Sequence, residues 1–595
     1  MCGITGIVNY RGESALQLSH AVSMTTAMRH RGPDDEGYVS FTADGRVQCY
    51  FGDDTPESVC RCYPRARHVQ DGLATASFLT LGHRRLSILD LSPAGHQPMS
   101  YGNGRYWIVY NGEVYNYLEL KEELIQLGYE FRTRTDTEVI MAAFDNWGVE
   151  CQARFNGMWA FIIYDTERQE LFISRDRFGI KPLYYYRDQG SILFSSEIKG
   201  LLHHSSVGTS PNIPYLANFL EHGATEWLKE TAFTNIFRFP FAHFAKISLK
   251  ESRNDLTTVR YWDVTPDIST EPFVATKAEV YAQHYYDLLK DAVRLRLRSD
   301  VQIGLALSGG LDSSSIAYLV TQLCEEQEPE RRHKTFSSVH RTPETRHLDE
   351  SRYIDMMGKQ CHLEVHTVEP KPDDIPQLHE TVIQHWETPP DSSGVGGLAT
   401  YRLACEIGCK VTFEGQGADE QQGGYTYHRF CHIQNLPLFR ALQEGWALVN
   451  TMGARKVILF AIAFKVLSRV IGYGNVSVFL RTFGGNPDNF CRLVGGHPER
   501  FIVPLNVMLK NDMNTELINL MHYSDSRSMC YSIEARMPFM DYRLIEFMAS
   551  IPASYKFKGG YSKDWLLTAN FRMKLSGEGI KWAGQCRNST GLMVP

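Results

Sequence analysis

The chain has 595 residues, 43% of them hydrophobic and 22% charged, with a formal net charge of -7. That length exceeds one ordinary domain and holds material for two large cores. The composition and near-balanced charge exclude a disordered chain and a nucleic-acid footprint, leaving small molecules or proteins as partners.

The chain opens "MCGITGIV", with Cys2 ahead of glycine and an apolar run. Taken alone, Cys2 reads as an early buried strand residue. From residue 1 to 205 the pattern is short β-rich runs such as "YWIVYNGEVYN", "MWAFIIYD" and "ELFISRD" between Gly, Asn and Asp punctuation, with helices expected at 15 to 30 and 118 to 127. Such alternation predicts stacked antiparallel sheets flanked by helices, an αββα sandwich. Residues 43 to 76 read as a polar excursion between two strands, a surface loop or an interaction element.

Residues 206 to 275 read as a connector. From 276 to 595 the texture changes to helix "VYAQHYYDLLKDAVRLRLR", buried strand "VQIGLAL", helix "SSSIAYLVTQLCEE" and strand "KTFSSVH". This βα alternation predicts a doubly wound parallel sheet, followed beyond about 425 by a mostly helical region. The apolar stretch "VILFAIAFKVLSRVIGYG" from Val457 is broken by Lys465 and Arg469, so no membrane span is expected. Thirteen scattered cysteines, an odd number with no signal peptide ahead of them, predict free thiols and a cytoplasmic setting. Cys60-x-Cys62 and Cys405-x-x-x-Cys409 lack a second ligand pair at zinc spacing.

In "LALSGGLDSSSIA", Leu307, Ser308, Gly309, Gly310, Asp312, Ser313 and Ser314 lie where a buried strand turns into a helix. Glycines admit an anion to the backbone, hydroxyls and amides donate hydrogen bonds, and the helix N-terminus adds partial positive charge: a phosphate cradle. It lacks the Gly-Lys-Ser/Thr of a Walker loop. It resembles the pyrophosphate loop of ATP pyrophosphatases, which implies ATP cleavage between the α and β phosphates and a Mg2+ ion held by acidic residues. The candidates are Asp312 and, in the second glycine-rich turn "EGQGADEQQGGY", Asp419 beside Glu420; Gly415 and Gly417 of that turn are candidate ATP contacts.

"MCGITGIV", "RHRGPDDEG", "LGHRRLSILDLSPAGHQPM", "YNGEVYN", "RTDTEVI", "FNGMWAFIIYD" and "RDRFGIKPLYYY" resemble a class II, N-terminal-nucleophile glutamine amidotransferase domain. Joined to the nucleotide loop, "EGQGADE" and "SIEARMPFMDYRLIEF", the chain resembles the glutamine-hydrolysing asparagine synthetase family. The resemblance implies that residues 1 to 205 are a glutaminase and 276 to 595 an ATP pyrophosphatase-type synthetase. With Met1 removed, Cys2 would carry a thiol nucleophile and an α-amine of pKa about 7.7 to 8 as its base. By resemblance Asn111 and Gly112 form the oxyanion hole, Arg85 grips the glutamine α-carboxylate, and Glu113 and Asp136 receive its α-ammonium. The implied reaction adenylates a carboxylic acid, aspartate or a related or specialised one, and amidates it with ammonia. A homodimer is the implied assembly.

Two departures bear on the acceptor. Where the family usually carries glutamate, this chain has Gln416, which cannot accept a proton; another base serves, ammonia arrives neutral, or the acceptor differs. In "IKWAGQCRNSTGLMVP" no lysine follows Trp582, and Arg587 is the nearest cation to take its catalytic place. Lys563 is kept, Leu567 stands where arginine is common, Asp349 and Glu350 match an acidic pair, and "ETPPDSSGVGG" would line the acceptor pocket. The alternatives are a ring-closing β-lactam-synthetase-like enzyme and a glutaminase-only or regulatory protein.

Overall fold

A computed structural model describes residues 2–223, 225–250, 256–325, 332–388, 394–452, 462, 465–466, 503–558 and 561–562. Two sheets form the front half. One has eight strands in the spatial order Ile236–Arg238, Tyr184–Arg187, Ser191–Ser195, Gly3–Asn9, Leu79–Arg85, Asp35–Phe41, Val47–Phe51 and Arg67–His68. The other runs Thr258–Arg260, His243–Ser248, Glu170–Arg175, Gly157–Asp165, Tyr106–Val114 and Met99–Tyr101. All pairings are antiparallel apart from the short Arg67–His68 contact, which is parallel.

The strand Gly157–Asp165 explains the layering. Successive side chains point to opposite faces, so Trp159, Phe161 and Ile163 join the core under the helices Tyr117–Gln126 and Asp136–Trp147. Ala160, Ile162 and Tyr164 instead meet Ile4, Val8, Leu81 and Phe194 of the first sheet. A strand buried on both faces reads as an unbroken apolar run, as this one does. The helix Gln17–Thr26 covers the outer face of the first sheet, completing helix, sheet, sheet, helix.

The expected helices appear at Gln17–Thr26 and Tyr117–Gln126. The 43 to 76 excursion supplies the strands Val47–Phe51 and Arg67–His68 and a short helix, Glu57–Cys62. The stretch expected as a connector supplies three strands to the two sheets.

The back half is built on a five-stranded parallel sheet in the order Glu364–Val368, Lys334–Ser338, Ile303–Ala306, Val411–Phe413 and Glu534–Arg536. The last strand was not legible in "SIEARMP", which lies inside the expected helical region. Helices Ala275–Arg296, Leu311–Glu325 and Gly394–Glu406 pack on this sheet, and Glu516–Met529 carries polar residues to the seam between the halves. Among the described residues no helix is long and apolar enough to cross a membrane, and the described cysteines are unbridged. The apolar stretch from Val457 is described only at isolated positions, and Lys563, Leu567, Trp582 and Arg587 lie outside the described residues.

Candidate active site

Cys2 is buried immediately before the strand Gly3–Asn9, and its backbone N–H donates to Asn111 Oδ1 at 2.9 Å. With Oδ1 so engaged, Asn111 Nδ2 is buried without a protein acceptor, leaving an unused donor on the residue that holds Cys2. Gly112 has φ +155°, and a Cβ there would stand 2.1 Å from the Met158 carbonyl oxygen, so only glycine fits. Burial pushes the Cys2 thiol up; a backbone N–H from Leu86 and the Arg85 guanidinium oppose that shift.

Arg85 donates to the carbonyls of Leu89, Asp90 and Ser92 at 3.3, 2.5 and 3.2 Å. A Cβ on Gly95 would come within 1.9 Å of its Nη2, so the fork lies flat on that glycine. Asp136 opens the Asp136–Trp147 helix, whose N-cap Thr135 accepts from the Glu138 N–H. Its carboxylate accepts from Tyr110 Oη at 2.8 Å and the Val114 N–H at 2.9 Å. Burial raises its pKa to about 6 despite those donors. Burial and the neighbouring Glu534 and Asp136 drive Glu113 upward, while Arg536 holds Glu534 down against its own burial. The site thus gathers three buried carboxyl groups around one guanidinium, a setting that an added α-ammonium would complement.

Glu534 and Arg536 come from the back half. Arg536 Nε donates to Glu534 Oε1 at 2.6 Å and its Nη2 lies 3.5 Å from Glu113 Oε1. A second buried cluster joins the halves at Cys2 itself. Arg31 Nε donates to the Cys2 carbonyl at 3.1 Å, Nη1 to Glu197 at 2.8 Å and Nη2 to Asp525 at 2.8 Å, with Lys181 Nζ 3.5 Å from the other Asp525 oxygen. Arg31, Lys181, Asp525, Glu534 and Arg536 are not among the expected site residues. All but Asp525 stand inside the motifs quoted above, where they are charged side chains among many, and burial alone sets them apart.

In the back half, the Ile303–Ala306 strand leads through Leu307 into the Leu311–Glu325 helix. Ser308 and Ser313 hydroxyls lie 3.0 Å apart, the Ser308 N–H donates to Ser313 Oγ, and the Gly310 N–H donates to Ser308 Oγ. Gly309 has φ +79°, and a Cβ would press on Tyr353 at 2.9 Å. Ser314 Oγ is buried without a protein partner. The second loop abuts the first: a Cβ on Gly415 would be 3.2 Å from Asp312 Cβ and 3.4 Å from the Ser313 nitrogen. Gly417 has φ +95° and packs on Met540, and Asp419 follows in the first turn of Ala418–Gln422. Gln416 turns its side chain toward Glu414, and its Oε1 is buried with no protein partner. Asp349 accepts from the His340 N–H at 3.1 Å, and the Glu350 carbonyl lies against Gly309.

The fold and these two sites define a glutamine amidotransferase half joined to a nucleotide-dependent synthetase half. The chain matches the glutamine amidotransferase domain family over residues 65–262 and the asparagine synthase family over residues 284–575. It is 32% identical over 466 residues to "Putative asparagine synthetase (glutamine-hydrolyzing) 2" of Methanocaldococcus jannaschii, covering 74% of this chain and 79% of the relative. It is 28% identical to asparagine synthetase (glutamine-hydrolyzing) 3 of Bacillus subtilis, covering 96% and 84%. It is 26% identical to amidase chry2 of Gibberella zeae, covering 95% and 85%. The chain belongs to the glutamine-hydrolysing asparagine synthetase family and is a carbon–nitrogen ligase with glutamine as amido donor.

Proposed function

We propose that the protein adenylates a carboxylic acid with ATP, releasing pyrophosphate, and amidates the acyl-adenylate with ammonia released from glutamine at Cys2. The observation that carries this reading is the buried polar seam: Arg31 touches the Cys2 carbonyl with one nitrogen and Asp525 of the back half with another. Such a seam suits two reactions that exchange a small intermediate out of contact with water. Cys2 attacks the glutamine carboxamide, its freed α-amine taking the thiol proton. Asn111 Nδ2 and the Gly112 N–H receive the oxyanion. Arg85 receives the α-carboxylate, and Glu113 and Asp136 the α-ammonium. Ser308, Gly309, Gly310, Ser313 and Ser314, with Leu307 beneath them, cradle the phosphates, and Gly415 and Gly417 close the other side. Arg587, following Trp582, supplies the cation for the leaving phosphate.

Asp312 and the loop that carries Asp419 lie side by side, and two carboxylates with phosphate oxygens suit Mg2+. When bound, the ion would neutralise the charge of the leaving pyrophosphate. Aspartate is the first acceptor to test. Related or specialised acids follow, since the relatives include an amidase as well as asparagine synthetases. A cytoplasmic homodimer completes the reading.

The experiment is to measure pyrophosphate release and product mass with ATP, magnesium and glutamine, on a chain with its natural N-terminus, against aspartate and then a panel of carboxylic acids. Cys2→Ala is expected to stop glutamine use while ammonium still supports amide formation. Loss of both would refute the two-site scheme, and glutamate production with no pyrophosphate for any acid would leave a glutaminase-only protein.

A further inference from the structure

Glu414 ends the Val411–Phe413 strand of the parallel sheet, at the carboxyl edge where open α/β sheets take their ligands. The following residue, Gly415, packs on Asp312 and Ser313 of the nucleotide loop. Glu414 is 3% exposed. Tyr401 Oη donates to its Oε1, Ser524 Oγ donates to its Oε2 at 2.5 Å, and Thr412 Oγ1 approaches Oε1 at 3.5 Å. The Gln416 side chain and the Arg527 guanidinium, the latter on the same helix as Ser524, both favour its charged form. Ser524 is the neighbour in sequence of Asp525, which Arg31 ties to the Cys2 carbonyl. Adjacent buried residues of the Glu516–Met529 helix therefore face the two sites, Asp525 bonding Arg31 at Cys2 and Ser524 bonding Glu414 beside the nucleotide loop.

Resting on the ligase reading above, we infer that Glu414 is the base of the amidation step, the role that the carboxamide of Gln416 cannot fill. Ammonia attacks the acyl carbon of the adenylate and a C–N bond forms. The C–O bond to the phosphate breaks, its electron pair leaving with AMP, and one proton of the attacking nitrogen passes to a Glu414 oxygen. Two hydroxyls orient this carboxylate without neutralising it as a bidentate arginine would. Burial pushes its pKa up, which strengthens it as a proton acceptor.

The test measures amide formed per pyrophosphate released, using the acid that supports wild-type turnover, with ammonium or hydroxylamine as nucleophile. Hydroxylamine sheds its proton more readily and depends less on a base. For Glu414→Gln the amide-to-pyrophosphate ratio with ammonium is expected to fall about 100-fold or more, and the hydroxamate-to-pyrophosphate ratio less than about tenfold. Tyr401→Phe, which keeps the carboxylate and nearly all the volume, is expected to lower the ammonium ratio in the same sense by about tenfold. An unchanged ammonium ratio in both variants, or equal loss with both nucleophiles, overturns the assignment. A wild-type chain that released no pyrophosphate with any acid would overturn the synthetase reading beneath it, a distinct result.

Discussion

Asp525→Asn is the sharpest probe of how the halves are joined. Asp525 is 1% exposed and lies between Arg31, also 1% exposed, and the fully buried Lys181. The substitution keeps the volume and removes the anion, leaving two buried cations beside Glu197, which already faces His30 and Lys199. Breaking a buried pair by neutralising one member costs about 3 to 5 kcal/mol, or roughly two to three and a half decades in the unfolding equilibrium. With a urea slope of about 3 kcal/mol/M the midpoint of the transition that reports on the seam moves down by roughly 1 M or more. Because Arg31 also holds the Cys2 carbonyl, loosening it displaces the nucleophile, and a misplacement on the order of 1 Å costs about 100-fold in rate. Urea denaturation and glutamine turnover are measured together. The control is Asp53→Asn at the exposed Asp53–His68 pair, which leaves the midpoint in place. A wild-type midpoint with wild-type glutaminase in Asp525→Asn would refute the claim that this cluster holds the site.

Gly112→Ala puts a methyl group 2.1 Å from the Met158 carbonyl, so the strand must shift and an oxyanion donor moves; glutamine kcat is expected to fall about 100- to 1,000-fold, while ammonium-dependent synthesis, measured in parallel, persists. Asp136, raised to about 6, must be ionised to hold an ammonium. The kcat/KM for glutamine is therefore expected to fall about tenfold per pH unit below about 6, a limb that Asp136→Asn removes along with most binding. The same raised pKa favours the folded state below the ordinary aspartate range near 3.9, and that contribution is lost as pH rises through about 6. Asp312→Asn is expected to abolish pyrophosphate release with every acid and leave glutamate production from glutamine, which enzymatic assays of the two products separate.

The layers were legible because they obey local rules. The unbroken apolar run "MWAFIIYD" between turn residues and the glycine-serine turn after "VQIGLAL" each favour one arrangement of backbone, and Gln17–Thr26, Tyr117–Gln126 and the parallel sheet followed from such local patterns. The three-residue strand Glu534–Arg536 could not be read that way. It carries two charges in three residues, and its place on the sheet is decided by parallel pairing with Val411–Phe413, a contact across more than a hundred residues of sequence. The residues overlooked at the site share this origin. Arg31 and Asp525 are acceptable in a core because they meet each other across the two halves, and Arg536, which holds Glu534 within its own strand, also reaches Glu113 of the front half; the pairs that cross the halves lie in no single window of sequence.

Gln416 illustrates the opposite error, of reading a position too literally. Viewed alone, glutamine in place of a carboxylate looks like a loss of chemistry. The fold puts a carboxylate two residues earlier, at the end of the strand, where that glutamine favours its charged form, while Tyr401 and Ser524 reach it from two separate helices. Chemistry lost at one position can therefore be held at a neighbouring one, provided that the surrounding elements supply donors that orient the replacement and leave its charge free to act. That condition depends on packing between distant segments, so it is met or failed in three dimensions and leaves only a faint trace in the order of the residues.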